Sequence, residues 1–291
     1  MPIIHISNDY LQVSIDTKGA ELQNIFNKKT GLEYLWSGDA AFWGKKSPVL
    51  FPIVGGLKNN SYTYNNQTYT LGRHGFARDK EFKVDAHYEE VARFLLESDE
   101  ETMQTYPFPF SFGIEYSLYM DFLYVQYVIV NNGEQDMYFS VGAHPAFKVP
   151  LTDSTVLSDY YLQFNQKEDA GIWPLSETGL IENTSTPLLN STDQLQLTKE
   201  LFYKDALVFK GLHSNSISIL SHKTQHGIKV QFNGFPYMGI WQAKDAGFVC
   251  IEPWCGIADS VNATGKLEEK EGIISIQAKE SFSKSWNVQM F

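Results

Sequence analysis

The stretch FLYVQYVIVNNGEQDMYFSVGAH, residues 122–144, decides the fold class of this chain. Apolar residues occupy both faces of its first half, with Leu123, Val125, Tyr127 and Ile129 on one face and Tyr124, Val128 and Val130 on the other. A strand that is apolar on both faces is typical of the interior of a layered structure. Residues 131–136, NNGEQD, have the composition of a turn, so the stretch predicts two strands around a turn.

Similar strand patterns recur along the chain, whereas helical patterns are scarce. Further strands are predicted at LQVSID (11–16), ISILS (217–221), IKVQF (228–232), YMGIWQA (237–243), GFVCIEP (247–253) and ISIQA (274–278). No amphipathic run of helical period exceeds about two turns. Many short strands with turn residues between them predict an all-β sandwich or barrel.

The length and the absence of a linker predict one domain over residues 1–291, since large β architectures often reach this length undivided. No Pro-, Gly- or Ser-rich segment divides the chain. Residues 174–196, PLSETGLIENTSTPLLNSTDQLQ, are polar and without a clear period. We expect a long surface loop there.

Composition excludes several classes of function. The formal net charge is −11, whereas nucleic-acid binders need clustered Lys and Arg, so neither nucleic acid nor an anionic membrane is an expected partner. No signal peptide and no apolar run of about 20 residues is present, and Cys250 and Cys255 do not form a disulfide framework. We therefore expect a cytoplasmic protein with reduced thiols.

Familiar cofactor motifs are absent from the sequence. It contains no G-x-G-x-x-G, no Walker loop and no G-x-S-x-G elbow. Cys250 and Cys255 lack a second cysteine pair, and His222 and His226 lie in a polar segment typical of a turn. We expect neither a cofactor nor a bound metal.

Two titratable residues are each followed by proline, which restrains the preceding backbone to an extended conformation. His144 ends a predicted strand in VGAHPAFKVP, and histidine offers a pKa near neutrality for proton transfer. Glu252 stands in the apolar run FVCIEPW, where burial would raise its pKa. The alternatives are a buried structural histidine and a glutamate that points to water.

Two further segments carry candidate polar residues. His74 and Arg78 lie four residues apart in HGFARDKEF, where Gly75 permits an unusual turn. Asp205 follows a short apolar run in LFYKDALVFKGL. Simple structural roles, such as a loop histidine, a surface charge or a turn residue, are open for all three.

Three motifs together resemble one known family. HGFARDKEF, VGAHPAFKVP and CIEPWCGIAD, in this order, are similar to the aldose 1-epimerase (galactose mutarotase-like) superfamily, in the branch related to the lactose-operon X protein. The similarity extends from AELQNI (20–25) to the C-terminal strands. It implies a β-supersandwich of large antiparallel sheets around a sugar cleft.

The resemblance also implies a reaction and its residues. Mutarotases open an aldose ring and close it from either face, which interconverts the α- and β-anomers without a cofactor. Glu252 matches the base that takes the proton of the C1 hydroxyl, and His144 matches the acid that protonates the ring oxygen. His74 matches a histidine near that oxygen, and Asp205 an acidic residue that binds hydroxyls.

The chain departs from the galactose mutarotase pattern at one place, where two arginines of a G-R-x-x-N-R motif are replaced by Gly56 and Asn60 in GGLKNN. Arg78 lies in HGFAR, a motif that resembles one in the hexose-6-phosphate mutarotase branch. The expected substrate is an aldohexose, bound by a monomer or homodimer. The alternatives are a 6-phosphorylated hexose, a non-catalytic carbohydrate-binding or regulatory protein, and a structural interaction module.

Overall fold

The computed structural model describes residues 2–291, and strands dominate it. The strands of the first half are β1 (Ile3–Ser7), β2 (Leu11–Asp16), β3 (Glu21–Asn27), β4 (Leu32–Glu33), β5 (Val49–Leu50), β6 (Ser61–Tyr64), β7 (Gln67–Thr70), β8 (Lys83–His87), β9 (Val91–Glu97), β10 (Phe110–Tyr119), β11 (Phe122–Asn131), β12 (Met137–Phe139) and β13 (Val141–Ala143). Those of the second half are β14 (Ala146–Lys148), β15 (Tyr160–Ile172), β16 (Thr186–Gln196), β17 (Leu207–Lys210), β18 (Ser216–Ser221), β19 (Ile228–Gln231), β20 (Tyr237–Trp241), β21 (Phe248–Cys255), β22 (Ile274–Ile276) and β23 (Ser281–Met290).

Helices are short. The α-helix of the described chain is α1 (Glu100–Thr105), which begins at a capping box formed by Asp99 and Thr102. Single 3₁₀ turns lie at Lys58–Asn60, Ala77–Asp79, Leu157–Asp159, Lys199–Phe202 and Leu267–Glu269. No helix within residues 2–291 combines the length and the apolar character needed to cross a membrane.

Two large antiparallel sheets define the architecture. One has nine strands in the order β16-β15-β18-β19-β23-β11-β10-β9-β8, and the other has the order β17-β20-β21-β13-β5 with β14 also paired to β21. A four-stranded sheet, β1-β2-β3-β4, and the pairs β12-β22 and β6-β7 complete the fold. The main core cluster draws on residues from Ile6 to Met290. The prediction of an all-β supersandwich is confirmed.

The segment that indicated the fold is covered on one side only. The face of β11 that carries Leu123, Val125 and Ile129 is fully buried, whereas Tyr124 on the other face is 37% exposed. The expectation of a strand enclosed on both faces was wrong because an antiparallel sheet can leave one face to solvent. The two strands around the turn also separate, since β11 pairs with β10 and β23 but β12 pairs with β22.

The expectation of a long surface loop over residues 174–196 was partly wrong. Residues 186–196 form β16, an edge strand that pairs with β15 through several register shifts. Most of its side chains on both faces are exposed or half-buried. An edge strand with no buried face has no apolar alternation, so its sequence resembles a loop.

The other predicted strands coincide with β2, β18, β19, β20, β21 and β22. Of these, β21 is the most enclosed, since all eight of its residues are buried and it is bordered by β20 on one side and by β13 and β14 on the other. This central strand carries Glu252 and so determines where the candidate site lies.

Candidate active site

The backbone register brings His144 and Glu252 face to face. Gly142 of β13 lies opposite Trp254 of β21, and Ala146 of β14 lies opposite Cys250. The register is the same before and after the two residues that separate β13 from β14, so His144 lies directly across from Glu252. Pro145 has no N–H to donate and interrupts the ladder at this point. The His144 Nε2 atom is 3.2 Å from Glu252 Oε2, with both side chains almost fully buried.

Gly142 and Gly239 make room for the side chain of Trp254, which lies beside this pair. A Cβ on Gly142 would lie 2.7 Å from the Trp254 ring, and one on Gly239 would lie 2.4 Å from it. Both distances are too short for real side chains. The indole of Trp254 therefore lies across these two positions, where it lines the cavity next to Glu252.

Burial determines the protonation of the pair. It raises the pKa of Glu252 well above its usual range, with a further upward contribution from Asp205 and an opposing one from Trp254. It is also the main reason that the pKa of His144 is lowered to about 3, to which Arg78 makes a smaller contribution. Both shifts favour the uncharged forms, which are a protonated carboxyl on Glu252 and a neutral imidazole on His144.

His74 is held by the loop before β6. Its Nδ1 accepts a hydrogen bond from the Gly55 N–H at 3.1 Å, and the backbone N–H of His74 donates to the Gly55 carbonyl at 2.8 Å. The neutral ring must then carry its proton on Nε2. The backbone of His74 has φ 67°, an uncommon value for a residue other than glycine, and its ring centroid is 5.8 Å from that of His144. Burial lowers the pKa of His74 well below its usual value, which favours this neutral form.

A buried ion pair fixes the loop that holds His74. Lys270 Nζ lies 2.8 Å from Asp259 Oδ1, and both side chains are nearly inaccessible. The second oxygen of Asp259 accepts the Lys58 N–H, and the Asp259 N–H donates to Gly56. The GGLKNN segment, which lacks the two arginines of galactose mutarotases, is thus held from behind by this pair. The Lys58 side chain extends toward the Ala263 carbonyl and does not line the cavity.

Arg78 and Asp205 lie on other walls of the site. Arg78 donates from Nη2 to the Arg73 carbonyl at 2.9 Å, and its Nε is 3.6 Å from Asp79. The Asp205 carboxylate accepts the N–H of Ala206 at 2.7 Å, and its backbone has φ 121°. Such a φ is strained for an aspartate, and strain of this kind clusters at functional sites.

One cavity of about 620 Å³ collects all five residues singled out from the sequence, His74, Arg78, His144, Asp205 and Glu252. Sequence reasoning missed other lining residues, which include Trp43, Trp241, Gln242, Lys204 and Lys244. The indole of Trp43 lies 5.0 Å from the His144 ring at a shallow angle, and Trp241 meets that ring edge-on. Tryptophans in a chain so rich in aromatics give no local signal that separates a cavity wall from a core.

One group in the site could also hold a metal. The ligand atoms of His144, Cys250 and Glu252 all lie within 4.8 Å of one another, and all three residues are buried. His222, by contrast, stacks on Tyr161 in an irregular segment that is not helical, as expected from the sequence. Cys250 and Cys255 are both free thiols, on opposite faces of β21.

Comparisons with known proteins agree on one family. The family model described as aldose 1-epimerase matches residues 2–288. Protein LacX (chromosomal) of Lactococcus lactis subsp. lactis is 33% identical over 295 residues, which cover 98% of each chain. A galactose mutarotase related enzyme from Lactobacillus acidophilus is 35% identical with a TM-score of 0.95, over 100% of this chain and 97% of that one. A galactose mutarotase-like protein from Lactobacillus casei has 27% identity and a TM-score of 0.93, with full coverage of both chains. The chain belongs to the aldose 1-epimerase family.

Proposed function

We propose that the protein is an aldose 1-epimerase that interconverts the α- and β-anomers of an aldohexose. The observation that carries the proposal is the buried His144–Glu252 pair, which faces a cavity with 3.2 Å between Nε2 and Oε2. Anomer exchange needs two proton transfers, because one proton leaves the C1 hydroxyl while another reaches the ring oxygen. A single pair can supply both transfers.

The proposed reaction uses the form of the pair in which the proton has moved from Glu252 to His144 across their 3.2 Å contact. Glu252, as the carboxylate, removes the proton of the C1 hydroxyl while His144 protonates the ring oxygen, and the C1–O5 bond breaks to give the open-chain aldehyde. Rotation about C1–C2 presents either face of the carbonyl. On closure the C5 hydroxyl returns its proton to His144, and Glu252 gives its proton to the C1 oxygen. Both residues thereby return to their starting states.

The remaining candidates bind the sugar. His74, with its proton on Nε2, donates toward the ring oxygen or a neighbouring hydroxyl. Asp205 accepts from hydroxyls, and Arg78 donates to them. Trp43 and Trp241 offer apolar faces to the C–H groups of a pyranose ring, which suits aromatic walls in carbohydrate sites.

A hexose that carries an anionic group, such as a 6-phosphate, is the second candidate substrate. Four cations line the cavity, Arg73, Arg78, Lys204 and Lys244, whereas its acidic residues are Asp205 and Glu252. Neither Arg73 nor Lys204 forms an ion pair within residues 2–291. A local excess of cations can overcome the repulsion that a net charge of −11 exerts on an anion.

Exchange spectroscopy by NMR on equilibrated sugars, together with polarimetry on freshly dissolved α-anomers, tests the proposal across free and 6-phosphorylated aldoses. We expect a rate well above the uncatalysed one, which EDTA does not lower. Binding of a sugar with no gain in rate would favour the non-catalytic alternative. If no sugar changes either the anomer-exchange rate or the thermal stability of the protein, the result would favour a structural interaction module.

We also propose the domain organisation, the cellular location and the oligomeric state of the protein. The shared core from Ile6 to Met290 supports one domain over residues 1–291, which predicts a single unfolding transition. The two free cysteines are consistent with a cytoplasmic location. We also propose a monomer or homodimer, to be determined by sedimentation.

A further inference from the structure

Three side chains with different ligand atoms converge behind the cavity. His144, Cys250 and Glu252 bring a nitrogen, a sulfur and a carboxylate oxygen within 4.8 Å of one another. Cys250 precedes Glu252 by two residues on the same face of β21, and His144 lies opposite Glu252. The convergence is therefore fixed by strand register and does not depend on a flexible loop.

Two polar atoms of this group make no hydrogen bond of good geometry within the described residues, although the first of them lies 3.2 Å from His144 Nε2. These atoms are Glu252 Oε2 and His144 Nδ1, both buried. The Glu252 side chain is only 2% exposed. A buried carboxylate oxygen whose only polar neighbour is one imidazole nitrogen is poorly solvated, so the site favours a bound cation.

The ligand set is one that Zn²⁺ prefers. Zinc binds cysteine sulfur, histidine nitrogen and carboxylate oxygen in tetrahedral sites, and three protein ligands leave a fourth position for water. Shifts of less than about 1 Å would bring the three atoms to bonding distances. A thiolate and a carboxylate together neutralise the two charges of the ion, and two protons leave to solvent, one from the Cys250 thiol and one from the His144–Glu252 pair.

We propose that His144, Cys250 and Glu252 form an inhibitory site for Zn²⁺ or a similar thiophilic divalent ion. The ion enters from the cavity, which His144 and Glu252 line, whereas Cys250 lies behind them among Phe248 and Trp36. Its binding occupies both members of the acid–base pair. The inhibition rests on the proposed function, but the binding does not.

Binding is tested without reference to activity, by titration of the metal-free protein with Co²⁺. We expect one equivalent to produce tetrahedral d–d bands and a thiolate-to-cobalt charge-transfer band, both removed by Zn²⁺. The charge-transfer band should vanish in Cys250→Ser and in Cys250→Ala, and persist in Cys255→Ser. Cys255 is the matched control because it is a buried thiol on the opposite face of the same strand. Absence of the band in the wild type, or its survival without Cys250, would overturn the proposal.

Inhibition is tested by the anomer-exchange rate with added Zn²⁺. We expect inhibition that EDTA reverses. Cys250→Ser should keep its basal rate but need roughly 10- to 100-fold more zinc for the same inhibition, because even the loss of a side chain that only supports a metal ligand weakens metal binding by this factor. Equal zinc sensitivity of Cys250→Ser and Cys255→Ser would place the inhibitory ion elsewhere. If exchange activity is absent altogether, the proposed function fails, whereas the cobalt titration still decides the metal site.

Discussion

His144 and Glu252 occupy facing positions of the antiparallel ladder between β21 and the interrupted strand formed by β13 and β14, with 3.2 Å between Nε2 and Oε2. The gap in that strand falls at His144 and Pro145, so the histidine keeps its register while its neighbours carry the hydrogen bonds. Glu252 lies in a central strand, and His144 lies in a two-residue gap between two strands that pair with it. Rigid elements of this kind position catalytic groups more precisely than loops do.

His144→Asn should lower kcat by about 10² to 10⁴-fold with little change in KM, because the proton it donates matters mainly in the transition state. Anomer exchange measured by NMR over a range of sugar concentrations separates the two constants. His222→Asn is the matched control, since that histidine stacks on Tyr161 away from the cavity. Lost binding with normal turnover of the bound sugar would make His144 a ligand and not an acid.

The pH profile of kcat/KM should be flat through pH 6.5, where an ordinary histidine titrates. The lowered pKa of His144, about 3, means that its imidazole gains a proton only in strong acid, and the raised pKa of Glu252 moves the titration of the carboxyl upward from its usual range. Polarimetry corrected for the spontaneous reaction at each pH measures this. An inflection close to 6.5 would show that the histidine titrates independently of the glutamate.

Lys270→Met should destabilise the fold and weaken sugar binding together. It leaves the Asp259 carboxylate buried without its cation, which costs about 3–5 kcal/mol in unfolding free energy, and it loosens the loop that holds His74. Urea unfolding gives the first effect, and a raised KM gives the second. Lys266→Met removes an exposed ion pair with Glu269 and should change neither. A destabilised variant with an unaltered KM would show that the ion pair does not position the loop that holds His74.

Arg78 should discriminate between the two candidate substrates. With free aldohexoses we expect a higher kcat/KM than with the 6-phosphates, and little change with salt, because hydrogen bonds to neutral hydroxyls are not screened. The comparison uses Arg78→Ala and, as a control, Arg93→Ala, which removes a surface arginine paired with Glu115. A large preference for the phosphorylated sugar that salt weakens and Arg78→Ala abolishes would assign the protein an anionic substrate.

The sequence predicted the fold well where strands have one or two apolar faces. Strands β18 to β21 follow from their alternation and turn residues, and the buried glutamate in β21 follows from its apolar neighbours. Strand β16 does not, because an edge strand with exposed faces has no apolar period. The one-sided burial of β11 was also missed, since Val128 and Val130 are apolar but only half-buried.

The site was predictable only in part. The motifs carry His74, His144 and Glu252, and the proline after each of the last two explains the extended backbone. The distance between His144 and Glu252 depends on register across strands more than one hundred residues apart, which local patterns cannot encode. For the same reason the sequence did not reveal that Trp43 and Trp241 border the cavity, or that Cys250 joins the pair.

The most direct test of the account is the anomer-exchange rate of Glu252→Gln, measured with the wild type by NMR exchange spectroscopy on the best free aldohexose. The substitution keeps the shape of the side chain but removes the base. Glu168→Gln is the matched control, because Glu168 is equally buried in a strand yet accepts its hydrogen bonds from His213 and Ser214, away from the cavity. We expect that Glu252→Gln, folded by circular dichroism, loses about 10² to 10⁴-fold in rate while Glu168→Gln keeps the wild-type rate per folded molecule. A folded Glu252→Gln protein that exchanges anomers as fast as the wild type would contradict it.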